Sequence, residues 1–409
     1  MAPSSNNVLI PAIERPLAAV ELNARSVRVL ELGLGWFPEQ PGGLDRYFYH
    51  LLKSLHADGV STRGLVVGSP EVAAASGDRM RAFASQSDSL ISRCMGSRAA
   101  AKAEIDDFHP DLVASHFALF AAPALAKIRR TNIPHVVHFH GPWARECRQE
   151  GDRGPSNFMK RLIERRVYRR ADVCIALSEA FARVLAEQYG VDRNRIRVIP
   201  GGVDIARFRP TQSRAEARQE LGWPTGRPIL LTVRRLVARM GLDHLVAAMD
   251  AVRRRHPDAL LLIAGRGPMI DQLRDQVTEL NLLDNVRLLG FFPDEQLPTA
   301  MRAADITVVP STALEGFGLT VVESLAAGTP CLVSPIGGLP EVVRDLDPSL
   351  VFVSATAAEM ADRILTALSG KMPLPTDERC AEFAAKRYDW DIVSRQVLDA
   401  YREAIREKN

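Results

Sequence analysis

Two carboxylates flank a pair of glycines and a short apolar run in Glu315-Gly-Phe-Gly-Leu-Thr-Val-Val-Glu323. Two chemistries suit that spacing. Thr320-Val-Val-Glu323 has the S/T-x-x-E form of a capping box, which satisfies the orphan N–H groups of a helix start. Alternatively, the glycines let backbone N–H groups reach an anion at a helix N-terminus, whose dipole favours negative charge. The carboxylates would then hold sugar hydroxyls. Glu315 falls before the expected helix and has no capping role, whereas Glu323 fits either reading. Gly328, just before Thr329-Pro330, supplies a left-handed stop.

Other candidates sit at the ends of apolar runs. Arg234, Arg235 and Arg239 follow residues 228–233. Guanidinium forks match the oxygens of a diphosphate, although a solvated basic loop has the same composition. Gly265 and Gly267 follow residues 259–264 and suit either a nucleotide approaching the backbone or a tight strand-to-helix turn. Neither Gly265-Arg-Gly267 nor Gly33-Leu-Gly35 continues as G-x-G-x-x-G, which speaks against an NAD-dependent oxidoreductase. Walker A and G-x-S-x-G patterns are absent too. Asp345-Leu-Asp347 and Asp389-Trp-Asp391 have D-x-D spacing, but lie in a loop and beside a C-terminal helix, and no metal site is expected. His140 follows a strand and is a site candidate; His138 and His116 read as core histidines.

The elements that must position these residues are short β-rich apolar runs alternating with longer helical patterns. Such alternation marks parallel βαβ units. In the first half the expected strands begin at Val27, Leu65, Leu112, His135 and Val173, with a helix over 44–57. The pattern restarts after a Pro-, Gly- and charge-rich segment at 210–228, with strands at 228–233, 259–264, 286–289, 306–309 and 330–334. The fold class is α/β: two Rossmann-like domains in series, residues 27–204 and 205–387, whose strand C-terminal ends face a common cleft. Residues 1–26 read as a loosely ordered leader without signal-peptide organisation, so cytoplasmic residence is expected.

Composition excludes several classes. At 409 residues, 46% hydrophobic and 25% charged, the chain has the size of two to three soluble domains. No run approaches the ~18 apolar residues of a membrane span. The five scattered cysteines form no C-x-x-C or Cys/His cluster, against a disulfide framework or zinc site. A net charge of +3 is too small to imply nucleic acid, but it is uneven: residues 1–204 hold 27 Lys/Arg against 22 Asp/Glu, the remainder 25 against 27. Residues 158–170 hold six basic residues and one acid, with Phe158, Leu162, Ile163 and Val167 at helical spacing. That is either a helix packed on the sheet or a surface for an anionic membrane presenting a lipid-linked acceptor.

In order, Arg235-Leu before Gly241, Gly265-Arg-Gly-Pro268, Pro310-Ser311, and Glu315-Gly-Phe-Gly-Leu with Glu323 resemble the retaining GT-B glycosyltransferases. More narrowly they resemble family 4, with its E-x7-E signature. Gly42-Gly43, His140-Gly141, Ser178-Glu179, Val198-Ile-Pro-Gly-Gly-Val-Asp204 and Tyr388-Asp-Trp390 extend the resemblance over roughly residues 27 to 405. It implies a sugar-nucleotide donor on the C-terminal domain, a saccharide or lipid-linked acceptor on the N-terminal one, no cofactor and no required metal. It also implies a last helix, 388–409, returning to the N-terminal domain.

By position, the resemblance gives Arg235 the donor diphosphate, Glu315 the donor-sugar hydroxyls, Glu323 the ribose, and His140 a place beside the reacting sugar. The backbone of Gly316, Phe317, Gly318 and Leu319 meets the donor phosphate or sugar, and Gly43 lets its loop close near the phosphates. Gly265 and Gly267 border the nucleotide. Two departures stand out: Met240-Gly241 replaces the usual Lys-Gly, with Arg239 expected to serve instead, and Gly201 replaces an Asn. The same fold also serves nucleotide-sugar epimerases and catalytically silent sugar-nucleotide-binding subunits. The E-x7-E pattern disfavours the first, and the intact Arg235, Glu315, Glu323 and His140 set disfavours the second.

Overall fold

The computed structural model describes residues 26–209 and 212–408. The leader expected at 1–26 therefore lies, apart from Ser26, outside the described residues. Among the described residues, short apolar stretches form twelve strands in two all-parallel sheets. The first sheet holds β1 (Arg28–Leu32), β2 (Ser61–Val67), β3 (Met80–Ala84), β4 (Leu112–Ser115), β5 (His135–Phe139), β6 (Val173–Ala176) and β7 (Ile196–Val198), in the order 3-2-1-4-5-6-7. The second holds β8 (Ile229–Val233), β9 (Leu260–Ala264), β10 (Val286–Gly290), β11 (Ile306–Val309) and β12 (Cys331–Val333), in the order 10-9-8-11-12. Central strands such as Leu260–Ala264 are buried along their whole length. Parallel sheets covered by helices on both faces require such continuous apolar runs. Strand β3, with sequence MRAFA and mixed burial, is an edge strand that the hydrophobic pattern did not reveal.

In each sheet the strand order reverses at one place, between β1 and β4 and between β8 and β11. Open α/β sheets bind ligands at such switch points, beyond the strand C-termini. The last helix, Trp390–Lys408, packs against Gly43–Ala57 and against β4, β5 and β6 of the first sheet. Val203 N–H donates to Tyr388 O at 2.7 Å where the chain crosses back. Trp390 meets the Tyr47 ring edge-on at 5.2 Å.

The segment at 158–170 differs from the expected packing. Its helix, Pro155–Tyr168, buries Glu164, Val167 and Tyr168 but leaves Phe158 70% and Leu162 49% exposed. The inward face is built around the Glu164 carboxylate, which accepts bonds from Tyr189 Oη at 2.9 Å and Ala144 N at 3.3 Å. Phe158 and Leu162 are thereby turned outward. No helix among the described residues is long and apolar enough to cross a membrane.

Candidate active site

The loops after β1, β4, β8 and β11 all open onto one cleft of about 570 Å³ between the two sheets. Gly43, His140, Arg234, Arg235, Arg239, Glu315 and the backbone from Gly316 to Leu319 line it.

Residues 315–323 fold as a loop followed by a helix, and of the two readings the capping box is not the one realised. The helix runs Leu319–Ala326, its N-cap is Gly318 at φ +94°, and no side chain caps it. Only glycine adopts that left-handed backbone without strain, so the helix begins one residue before Thr320 and the capping box does not form. Leu319 and Thr320 fall in the first turn, where amides lack an intrahelical acceptor, and Val321 N–H donates to Gly318 O at 2.9 Å. Glu323, a turn further on and 7% exposed, instead accepts a bond from Arg46 Nη1 at 3.0 Å. Arg46 belongs to the helix Gly43–Ala57, so the pair spans the two domains. Gly43 stands opposite Leu319, and both helices begin at the cleft. Ser178 Oγ donates to Gly316 O at 2.7 Å, and the Glu341 carboxylate accepts from Glu179 N and Ala180 N at 2.7 and 2.8 Å. The first bond fastens the Gly-Phe-Gly loop to the first domain, and the other two fasten the helix Leu339–Val343 to it. Phe317 is buried there, edge-on to Tyr388.

Glu315 is held by two donors, the Arg234 guanidinium and Ser311 Oγ at 2.8 Å, and both meet Oε2. The arginines differ from one another. Arg235 has a side chain 59% exposed and a single loose partner, Glu150 Oε1 at 3.6 Å. Arg239 is 8% exposed; its Nη1 donates to Leu314 O at 3.3 Å, and it stands 3.9 Å from Glu146 and 3.6 Å from Glu150. Burial holds the Glu146 carboxyl above its ordinary range, with Arg239 and Arg235 opposing.

Gly265 and Gly267 do not line the cleft. A Cβ on Gly265 would fall 1.7 Å from Arg234 O, and one on Gly267 would fall 2.4 Å from Leu236 O. Their missing side chains make room for the backbone at 234–236, so the tight-turn alternative describes them. Asp345 pairs with Arg387 at 2.6 Å and Asp347 caps the turn Pro348–Leu350. Among the described residues no three His, Cys, Asp or Glu side chains are grouped to hold a metal.

The first domain supplies a buried chain of hydrogen bonds ending at the cleft. His140 Nε2 lies 3.1 Å from His116 Nδ1, and His116 Nε2 lies 3.0 Å from Glu31 Oε2. Glu31 Oε1 accepts from Tyr401 Oη at 3.2 Å, which lies 2.7 Å from His138 Nε2; His138 Nδ1 lies 3.3 Å from Tyr47 Oη. Burial dominates the titration of the whole chain. The Glu31 carboxyl is pushed up to about 8, with the Tyr401 bond opposing, and His116 is pushed down to about 3. His138 and His140 are held well below 6.5 by burial and by neighbouring histidines. Glu31 and His116 therefore pair as neutral groups at pH 7. Where Tyr401 donates to Glu31 Oε1, one proton arrangement satisfies every bond. Glu31 Oε2–H donates to His116 Nε2, and His116 Nδ1–H donates to His140 Nε2, leaving the His140 proton on Nδ1. His138 Nε2–H donates to Tyr401, and Tyr47 Oη–H donates to His138 Nδ1.

His116 and His138 are thus core residues, and His116 also bonds His140 at the cleft. Glu31, Tyr401 and Arg46 were missed. The one signal for Glu31 was an acid inside the apolar strand Arg28–Leu32, where a buried charge demands a partner.

The same arrangement of sheets and loops recurs in known proteins. Residues 213–387 match the family described as Glycosyl transferases group 1, and residues 41–207 match Glycosyltransferase Family 4. A D-inositol 3-phosphate glycosyltransferase of Nocardia farcinica is 34% identical over 307 residues, covering 73% of this chain and 67% of the relative. Among solved structures, sucrose-phosphate synthase from Thermosynechococcus elongatus superposes with a TM-score of 0.78 at 22% identity, covering 93% of this chain and 100% of the other. Anabaena HepE in complex with UDP-glucose gives 0.75 at 20% identity, covering 92% and 99%.

Proposed function

The chain belongs to the GT-B glycosyltransferases of group 1 and family 4, and on that premise we propose that it transfers a hexose from a nucleoside-diphosphate donor with retention of configuration. We assign the donor to the second domain and the acceptor, a saccharide or lipid-linked glycan, to the first. The observation that carries this reading is the convergence, in one cleft, of an uncapped helix start, exposed Arg235, Glu315 with both its donors on Oε2, and His140. As the glycosidic bond breaks, negative charge collects on the leaving diphosphate and positive charge on the sugar. Arg235, the least committed cation of the cleft, swings to the diphosphate, and the amides near Phe317 and Gly318 face its oxygens. Glu315 Oε1 takes a donor-sugar hydroxyl while Oε2 stays anchored. His140, protonated on Nδ1, stands beside the reacting sugar.

Glu323 can reach the ribose only by sharing or leaving Arg46, which couples donor binding to the seam between the domains. The HepE structure with UDP-glucose makes a uridine donor the first to try. The Nocardia farcinica relative is a glycosyltransferase by name, which speaks against an epimerase. The test is a thermal-shift screen against UDP-, GDP- and ADP-sugars. A donor at 100 times its Kd adds about 2.7 kcal/mol, and no response to any of the three would count against the reading.

We also propose that the first domain rests on the inner face of an anionic membrane. Phe158 (70% exposed) and Leu162 are joined by Ile91 (74%) and Met95 (68%) on the helix Leu90–Phe108. Both helices rest on one buried cluster, through Cys94 and Ile163. Apolar anchors among arginines suit such a surface.

A further inference from the structure

The diphosphate contact expected from a lysine at position 240 is missing, because Met240 stands there. The cation beside that methionine is Arg234. Its backbone is pinned: Arg234 N–H donates to Ala264 O at 2.9 Å, and Gly265 lies against its carbonyl. The side chain turns into the cleft and is only 6% exposed. Arg234 Nε and Nη2 lie 3.2 and 3.0 Å from Met240 Sδ, so the guanidinium occupies the space at the end of residue 240.

A guanidinium offers five N–H donors, and a thioether is a weak acceptor. Glu315 is the one strong acceptor that Arg234 has, and it meets Nη2. Arg234 Nη1 is buried with no hydrogen-bond partner. An unsatisfied buried donor on a charged group is costly, and an anionic oxygen entering the cleft would satisfy it. Arg239, the expected substitute, is a poorer candidate. Its Nε also lacks a hydrogen bond, but its guanidinium is spread over Leu314 O, Glu146 and Glu150.

We propose that Arg234 supplies the second cationic contact to the donor diphosphate, donating from Nη1, with Glu315 holding it in place. Position 240 is uncharged, and position 234 carries a cation at the same point in the cleft. The proposal rests on the donor reading above.

Calorimetric titration with UDP and UMP, and with the guanosine and adenosine pairs, tests it. Arg234→Gln is expected to weaken diphosphate binding about tenfold or more, the usual worth of a hydrogen bond to a charged group. Monophosphate binding should stay within about threefold. Arg234→Gly combined with Met240→Lys returns a cation to the same place and is expected to recover most of the loss. This double variant also serves if Arg234→Gln fails to fold. A folded Arg234→Gln that keeps its preference for diphosphate over monophosphate would overturn the proposal, as would a folded double variant without that preference. If the wild type prefers none of the three diphosphates to its monophosphate, the donor reading itself fails, and this proposal with it.

Discussion

Replacing Glu31 with Gln separates the buried relay from ordinary core packing. Glu31 is wholly buried, and its carboxyl is raised from 4.5 to about 8 by loss of solvent. At 1.36 kcal/mol per unit, that shift corresponds to roughly 5 kcal/mol of linkage between protonation and folding. The sign follows from which state binds the proton. Between about pH 4.5 and 8 the folded protein keeps Glu31 protonated and the unfolded chain does not. The stabilising contribution is therefore complete below pH 4.5 and is lost as pH rises through about 8. Gln has no proton to lose, yet its amide can donate to His116 Nε2 while its oxygen accepts from Tyr401. Urea unfolding of both proteins from pH 5 to 9 provides the assay. Near pH 5 the two should differ by about 1 kcal/mol, one neutral hydrogen bond exchanged for another. By pH 9 the Gln variant should be the more stable by several kcal/mol. A stability difference that stays flat with pH, or favours wild type at high pH, would mean that Glu31 is ionised and paired with a charged His116. The neutral relay, and with it the proton position on His140, would then be wrong.

Further outcomes test other parts of the structure. Acid should unfold the protein, because burial depresses His50 to about 4, His116 to about 3 and His135 to about 4 and the unfolded chain takes up those protons first, an effect that the raised carboxyls of Glu31 and Glu164 offset only down to about pH 4.5; acid unfolding monitored by circular dichroism reads this. His116→Ala cuts the link to His140 and should lower kcat about 10- to 100-fold with little change in donor KM. Gly265→Ala forces a methyl group against Arg234 O and should cost several kcal/mol, measured by urea unfolding. The wild type should cosediment with anionic vesicles in a salt-sensitive way, and Ile91→Glu with Phe158→Glu should abolish this; equal binding to neutral vesicles would refute the membrane surface.

Periodic features were legible in the sequence and pairwise ones were not. Runs such as Leu260–Ala264 declare buried strands by apolar composition alone, and their alternation with helical patterns fixed the α/β class. The loop containing Glu315 stood out because two glycines and two carboxylates bracket a helix start, a spacing that suits both capping and anion binding. The capping-box alternative stayed open because Thr320 and Glu323 satisfy a local pattern, and only backbone geometry shows the helix starting earlier, capped at Gly318. Gly265 and Gly267 were placed at a strand end correctly, but what fills the space beside them is the backbone at 234–236. Arg46 and Glu323, or Glu31 and Tyr401, lie hundreds of residues apart, and no local signal could have joined them. Phe158 and Leu162 share a helical period with Ile163 and Val167, yet the buried Glu164 determines which side faces inward.

The most direct test of donor binding in this cleft is the turnover of Arg235→Ala with the sugar nucleotide identified by thermal shift. Arg235 is exposed and holds one partner at 3.6 Å, so its removal should leave folding unchanged. The expected result is a fall in kcat/KM of about 10²–10³, the usual cost of one donor to developing charge. A folded Arg235→Ala protein with kcat/KM within a few-fold of wild type would contradict it.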